Sequence, residues 1–318
     1  MSDPKVGILV NPAAGKGRVG RIAKRVIGRL SEIFPEPLIR FTERRGDGTS
    51  KARSLLDAGA DVVACLGGDG TFREVAETLA GTAVPMALLP CGSGNDLARS
   101  LFGKRISLGK AIEVMKDHAE KTIDIGFARS AGISVSFASG MGIGFDALVA
   151  EGISAIRGLS GFPLYLLSTL LAFRRFRPLF LEVEAGGLTY RGPALMSGAG
   201  IGRFMGGGYM LFPKAEMNDG LLDVYVIEPV SFFKLLRNIP KVMKGTHLSM
   251  REVCYGQAES VIYRLKEESL AHTDGEVFRI GPGELRVGCL KDALRVWVPA
   301  GLRHEGFRFY RRGPEGPG

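Results

Sequence analysis

Cysteine is scarce in this sequence and carries no pattern. Cys65, Cys91, Cys254 and Cys289 form no C-x-x-C pair, and two of them sit inside apolar runs. That excludes a disulfide framework or a cysteine zinc site and fits a reducing compartment. Four histidines and no H-E-x-x-H make a zinc enzyme a poor reading. Apolar runs are short as well. None reaches the ~20 residues that a membrane-spanning helix needs. The longest uncharged stretch, Thr78 to Asn95, is broken by Pro85, Pro90 and glycines, so it reads as strand and loop. Val6 to Val10 is too short for a signal-peptide core, and the expectation is a soluble, cytoplasmic chain. Neither a zinc finger, an RNP-like aromatic motif nor a long basic arm is present, so nucleic acid is set aside as a partner. The formal charge of +9 still calls for anionic partners, phosphates or a membrane surface above all.

Glycine is what the chain has in excess: 45 of 318 residues, about 14%, twice the usual ~7%. No Gly-X-Y period accompanies it, so the glycines must serve tight turns or close backbone approach. The length suggests two domains. Residues 1–126 alternate strand and helix: strands at Lys5 to Val10, Pro37 to Phe41, Asp61 to Leu66 and Met86 to Leu89, with helices at about 19–34, 49–58 and 71–80. This rhythm predicts an α/β domain with a parallel sheet. Residues 127–299 are short runs split by glycine turns, among them Leu188 to Ser197, Leu285 to Val287 and Leu294 to Val298. They predict a mostly antiparallel β domain interrupted by helices near 145–157, 162–175 and 231–245. The tail 300–318 ends in a Gly-Pro segment and is expected to fray or to pack back on the first domain.

Three turns follow strands of the predicted parallel sheet: Asn11-Pro-Ala-Ala-Gly15-Lys-Gly17, Gly67-Gly-Asp-Gly-Thr71 and Pro90-Cys-Gly-Ser-Gly-Asn-Asp96. A glycine turn ahead of a helix offers backbone N–H groups and the positive end of the helix dipole to phosphate. Thr71 with Glu74, and Ser93 with Asp96, also fit plain capping boxes. Three such turns at the carboxyl edge of one sheet favour a nucleotide site. Neither a P-loop nor a G-x-G-x-x-G fingerprint is present. Asp69, Asp96 and Asp124 would repel phosphate unless Mg²⁺ and its waters mediate. Asn218-Asp219-Gly220 and Thr273-Asp274-Gly275-Glu276 are hairpin signals on composition alone.

Taken in order, Gly67 to Thr71, Gly92-Ser-Gly-Asn-Asp96, Gly206-Gly-Gly-Tyr-Met-Leu-Phe-Pro213 with Asn218-Asp-Gly-Leu221, and Asp274-Gly-Glu276 resemble the soluble diacylglycerol-kinase-like lipid kinases, from Val6 to about Val298. The resemblance implies a NAD-kinase/phosphofructokinase-like α/β domain and a C-terminal β-sandwich, with the active site between them. It implies ATP held by Gly67, Gly68, Asp69, Gly70 and Thr71, with Asn11, Thr42, Ser93 and Asn95 assisting. It implies Mg²⁺ organised by Asp69, Asp96 and Asp124, and a second metal position at Asp219 with the carbonyls of Glu216 and Leu221. Asp274 and Glu276 match the acidic pair in which the family places its general base, with a slight preference for Glu276. Arg73 departs from the family, where asparagine is usual. It either alters the nucleotide pose or points to solvent.

The expected reaction is transfer of the ATP γ-phosphoryl group to a lipid hydroxyl, diacylglycerol first, with phosphatidylglycerol or a sphingoid base as other acceptors. A NAD kinase and a nucleotide-binding regulatory protein are the alternatives. Expected partners are the lipid alcohol, the anionic face of a membrane and a second copy of the chain. Two basic–apolar surfaces could meet the membrane: a helix around Phe232 to Lys244, interrupted by Pro240, and Gly158 to Phe173 running into Arg174 to Arg177.

Overall fold

The computed structural model describes residues 4–300 apart from 104, 157, 158 and 160. The basic tail beyond residue 300 therefore lies outside the described residues, as do Gly158 and Ser160 of one proposed membrane segment.

The chain opens with the expected alternation. β1 (Val6–Val10) leads to α1 (Arg18–Ser31), β2 (Leu38–Phe41) to α2 (Gly48–Asp57), β3 (Val62–Gly67) to α3 (Asp69–Leu79), and β4 (Met86–Pro90) to α4 (Asp96–Phe102) and α5 (Leu108–Lys116). β1, β3 and β4 are buried along their whole length. Helices cover both faces of the parallel sheet, which is why these strands read as unbroken apolar runs. α1 buries Val19, Ala23, Val26 and Leu30, one stripe at helical spacing, against that sheet.

The remainder runs β5 (His118–Ser130), β6 (Ile133–Phe137), β7 (Gly140–Gly144), α6 (Phe145–Ala155), α7 (Gly161–Arg175), β8 (Leu179–Ala185), β9 (Leu188–Ala194), β10 (Met196–Gly200), β11 (Leu222–Ile227), α8 (Phe232–Met243), β12 (Val253–Ala258), β13 (Ser260–Leu265), β14 (Ser269–Thr273), β15 (Glu276–Ile280) and β16 (Gly283–Pro299). One antiparallel sheet has the order β12-β11-β10-β7-β14-β15. It packs on the antiparallel end of the other sheet, and Ile143, Val224 and Ala271 from one side meet Leu181, Val261 and Val287 from the other in a shared core. This is a β-sandwich.

Three features differ from the strand-by-strand expectation. Leu188 to Ser197 is two strands in different sheets, because the chain crosses from one layer to the other at Leu195. The runs at 285–287 and 294–298 are one long strand, β16, with its register shifted between Leu290 and Leu294. That strand lies between β4, parallel to it, and β13, antiparallel to it, so the parallel sheet and the outer sandwich sheet are continuous. Gly126 accordingly lies inside β5, which pairs with β16 across the shift. Finally, α8 runs unbroken across Pro240.

Candidate active site

The three glycine turns follow β1, β3 and β4 and meet at the same edge of the sheet. They interlock. A Cβ on Gly68 would lie 2.9 Å from the Cα of Gly92, and one on Gly15 would lie 2.3 Å from the carbonyl oxygen of Cys91. Glycine is thus required at Gly15, Gly68 and Gly92 because one backbone rests on another, before any ligand arrives. Asn11 joins the first turn to the second, its amide donating to Thr71 Oγ1 at 2.8 Å.

The capping-box expectation fails at both helices. α3 begins at Asp69 with Gly68 as N-cap and no side-chain cap, while Glu74 accepts from the Gly48 amide at 2.7 Å. At α4 the cap comes from another turn. Asp69 accepts from the backbone N–H of Asn95 and of Asp96, each at 2.6 Å. Asn95, at φ 57°, closes its own loop by bonding both Gly92 N–H and Gly92 C=O. Its side chain holds the turn together. Asp69 thus caps α4, and burial raises its carboxyl against the pull of these amides. Asp69→Asn would set its amide N–H against one of these two N–H donors while its oxygen still accepts the other. It is expected to cost about 1–3 kcal/mol, the penalty of unsatisfied buried groups. Unchanged urea denaturation would show that the cap is dispensable.

Between the turns lies a cleft of about 540 Å³. Its walls include the anticipated Asn11, Thr42, Gly68, Asp69, Gly70, Thr71 and Ser93, and also Arg44 and Arg45, which sequence reasoning missed. The missed pair directly follows a strand of the parallel sheet, the position from which such sheets bind ligands, and that could have identified it. Gly67 is buried in β3 beneath Thr71 and does not line the cleft.

The sandwich brings Glu276 into the wall of this cleft, with Asp274 two residues earlier in the same turn and close enough to Asp69 for their charges to interact. Asp274, at φ 48°, accepts from three consecutive backbone amides: Ala138 at 2.7 Å, Ser139 at 2.9 Å and Gly140 at 3.1 Å. Burial pushes its carboxyl up to about 6, against the pull of those amides and with a further push from Asp69. Glu276 lines the cleft and is paired with Arg73 at 2.5 Å and Arg45 at 3.4 Å. The departure at Arg73 therefore neither points to solvent nor faces the nucleotide cleft directly; it stands behind Glu276. The turn itself is anchored by a buried chain that sequence reasoning also missed. Gly275 N–H donates to His272 Nδ1 at 3.3 Å, His272 Nε2 lies 3.6 Å from Asp146 Oδ2, and the Tyr225 hydroxyl donates to that same oxygen at 3.1 Å.

The anticipated acidic cluster separates into two sites. Asp96 stays with Asp69, one oxygen accepting from Gly207 N–H at 2.7 Å and the other buried without a hydrogen-bond partner. Burial and Asp69 push its carboxyl up to about 7. Asp124 joins the Asp219 turn instead. Its two oxygens accept from Gly220 and Asp292 N–H, both at 2.7 Å, and burial raises it. Asp219 accepts from Leu221 N–H at 2.9 Å, beside a buried and unpartnered Asn218 Oδ1. Among the described residues no three carboxylate, histidine or cysteine side chains converge on one ion position. That second Asp96 oxygen, 3.9 Å from Arg99 Nε but without a hydrogen bond, fits a divalent cation held mainly through water and phosphate, as Mg²⁺ commonly is. The orphaned Asn218 oxygen beside Asp219 fits a second cation.

Comparison with known proteins agrees with this architecture. The diacylglycerol kinase catalytic domain matches residues 5–128, and the YegS C-terminal NAD kinase beta sandwich-like domain matches residues 139–298. The chain is 34% identical to a diacylglycerol kinase of Mycobacterium tuberculosis over 264 residues, covering 81% of this chain and 84% of the relative. It is 32% identical to a YegS-like lipid kinase of Pseudomonas putida over 298 residues, covering 92% and 96%. The crystal structure of a diacylglycerol kinase from Bacillus anthracis shares the fold at a TM-score of 0.68 and 20% identity, covering 93% of this chain and 97% of that one. The chain belongs to the diacylglycerol-kinase family of ATP-dependent lipid kinases.

Proposed function

We propose that this chain transfers the γ-phosphoryl group of ATP to the primary hydroxyl of diacylglycerol, giving phosphatidic acid. The observation that supports the reading is a cleft lined by the glycine turns at Gly68 to Thr71 and Gly92 to Gly94 and by Glu276, with Asp274 in the same turn as Glu276. Mg²⁺ bound through Asp96 would neutralise the phosphates. The remaining steps belong to the chain. Backbone N–H groups at the start of α3 and the cationic Arg44 and Arg45 bind the phosphates and hold the γ-phosphoryl group in line.

Asp274 is our candidate for the base. Its carboxylate is fixed by three amides, and a pKa near 6 suits proton acceptance at neutral pH. The initial preference for Glu276 weakens because two guanidinium groups already engage that carboxylate. The alcohol loses its proton to Asp274 as its oxygen attacks phosphorus. Labelled ATP incubated with the protein and a total lipid extract, followed by mass spectrometry, is expected to yield labelled phosphatidic acid. Label in phosphatidylglycerol or a sphingoid base would reassign the acceptor, and label in NAD alone would overturn the reading.

The acceptor sits in a bilayer, and the helices on the sandwich provide a contact. No helix among the described residues is long and apolar enough to cross a membrane. α7 and α8 touch through Phe173 and Phe232, 5.1 Å between ring centroids, and expose Leu171, Phe233 and Met243 beside Arg174, Arg175, Arg237, Lys241 and Lys244. Phe233, at 81% exposure, is the group poised to insert. Each nearby cation adds about 1 kcal/mol of attraction to anionic lipid, screened by salt. Vesicle sedimentation is expected to rise with anionic lipid, fall with salt and drop for Phe233→Glu. Binding indifferent to all three would move the contact elsewhere.

A further inference from the structure

Arg73 and Arg45 hold the same carboxylate, but they hold it differently. Arg73 projects from α3 with its side chain 13% exposed, Nη2 2.5 Å from Glu276 Oε2 and Nη1 3.5 Å from Glu77 Oε2. Its Nε is buried without a partner. An enclosed guanidinium cannot swing away from its carboxylate without stranding charge. Arg45 lies between β2 and α2, is 80% exposed, and reaches Glu276 Oε1 only at 3.4 Å, the outer range of a hydrogen bond. Such an exposed pair is weak and easily exchanged. Arg45 also lines the phosphate cleft, and the same Glu276 oxygen lies 3.6 Å from the Cβ position of Gly70.

We propose that Arg73 is the fixed anchor of Glu276 and Arg45 an exchangeable one, parked on Glu276 until the terminal phosphate of a nucleoside triphosphate draws it away. The assignment rests on the kinase reading above. A terminal phosphate offers Arg45 a bidentate, charge-assisted contact stronger than its stretched bond to the half-buried Glu276 carboxylate. A nucleoside diphosphate lacks that group, so after transfer Arg45 returns to Glu276. Arg45 is then the residue that distinguishes ATP from ADP. Arg73 positions Glu276 and does not touch the nucleotide.

Calorimetric titration of the full chain with a non-hydrolysable ATP analogue and with ADP, both with Mg²⁺, tests this exchange. Arg45→Gln is expected to weaken the triphosphate analogue about tenfold, the worth of one charged hydrogen bond, and to leave ADP affinity nearly unchanged. Glu276→Gln, which frees Arg45, is expected to act in the opposite direction and tighten the analogue. Equal loss of both nucleotides in Arg45→Gln, or no loss of either, overturns the exchange while leaving the kinase reading intact. Weakening of the analogue by Glu276→Gln overturns it too. A wild-type chain that binds neither nucleotide brings down the kinase reading itself. Arg45 is a surface residue outside the regular elements, so its variant keeps the test open even if Glu276→Gln destabilises the fold.

Discussion

Asp274→Asn is expected to lower turnover by roughly 10²–10⁴-fold, the range for removal of a general base, while nucleotide affinity is retained. Asparagine preserves the shape of the side chain and tolerates the left-handed backbone that Asp274 adopts at φ 48°. Its oxygen can still accept from Ser139 and Gly140, but its amide would confront Ala138 N–H. That donor–donor contact costs about 1–3 kcal/mol, offset in part because a buried charge is removed. The lesion is therefore chemical before it is structural. The wild-type pH profile carries the same signature. Below about 6 the Asp274 carboxyl is protonated and cannot accept a proton, so turnover is expected to fall on the acid side of that value. Steady-state kinetics over pH 5–8, with titration of an ATP analogue, would check both. Near-normal turnover in Asp274→Asn with the acid limb intact would place the base elsewhere.

What the sequence disclosed was local chemistry. The buried strands β1, β3 and β4 were legible because a parallel sheet covered on both faces leaves continuous apolar runs, and the turns after them because their glycines stand out. Partnership across the chain was not legible. Asp69 could be placed at the phosphate site, but nothing local shows that it also caps amides of Asn95 and Asp96, a helix and a strand later. Asp124 looked like part of the same acidic set, yet it is drawn to the Asp219 turn by Gly220 and by Asp292 in β16. The shift in β16 that presents Asp292 is a long-range irregularity with no composition signal. Arg73 could be seen to be unusual, but its partner Glu276 is supplied by the other sheet.

Gly68→Ala and Gly70→Ala separate two reasons for a glycine-rich turn. A methyl on Gly68 would meet Gly92 Cα at 2.9 Å, and the obstacle is backbone, which cannot rotate aside. Gly68 itself sits at φ −127°, ψ −172°, an extended conformation open to alanine, so the penalty is wholly steric. Forcing the two turns apart is expected to cost about 1–3 kcal/mol, as overpacking does. It would also tilt Asp69 away from the α4 amides, so nucleotide affinity should fall together with stability. Gly70 is different. Its Cβ position meets only Glu276 Oε1, at an ordinary 3.6 Å, and otherwise faces the cleft. Gly70→Ala should therefore leave thermal unfolding unchanged and weaken ATP binding alone, because the methyl stands where phosphate approaches the backbone. Titration calorimetry and thermal denaturation on both variants would distinguish the roles. If Gly68→Ala loses affinity with no loss of stability, the interlock of the turns is not what glycine provides there. If Gly70→Ala binds ATP normally, the phosphate does not rest on the start of α3.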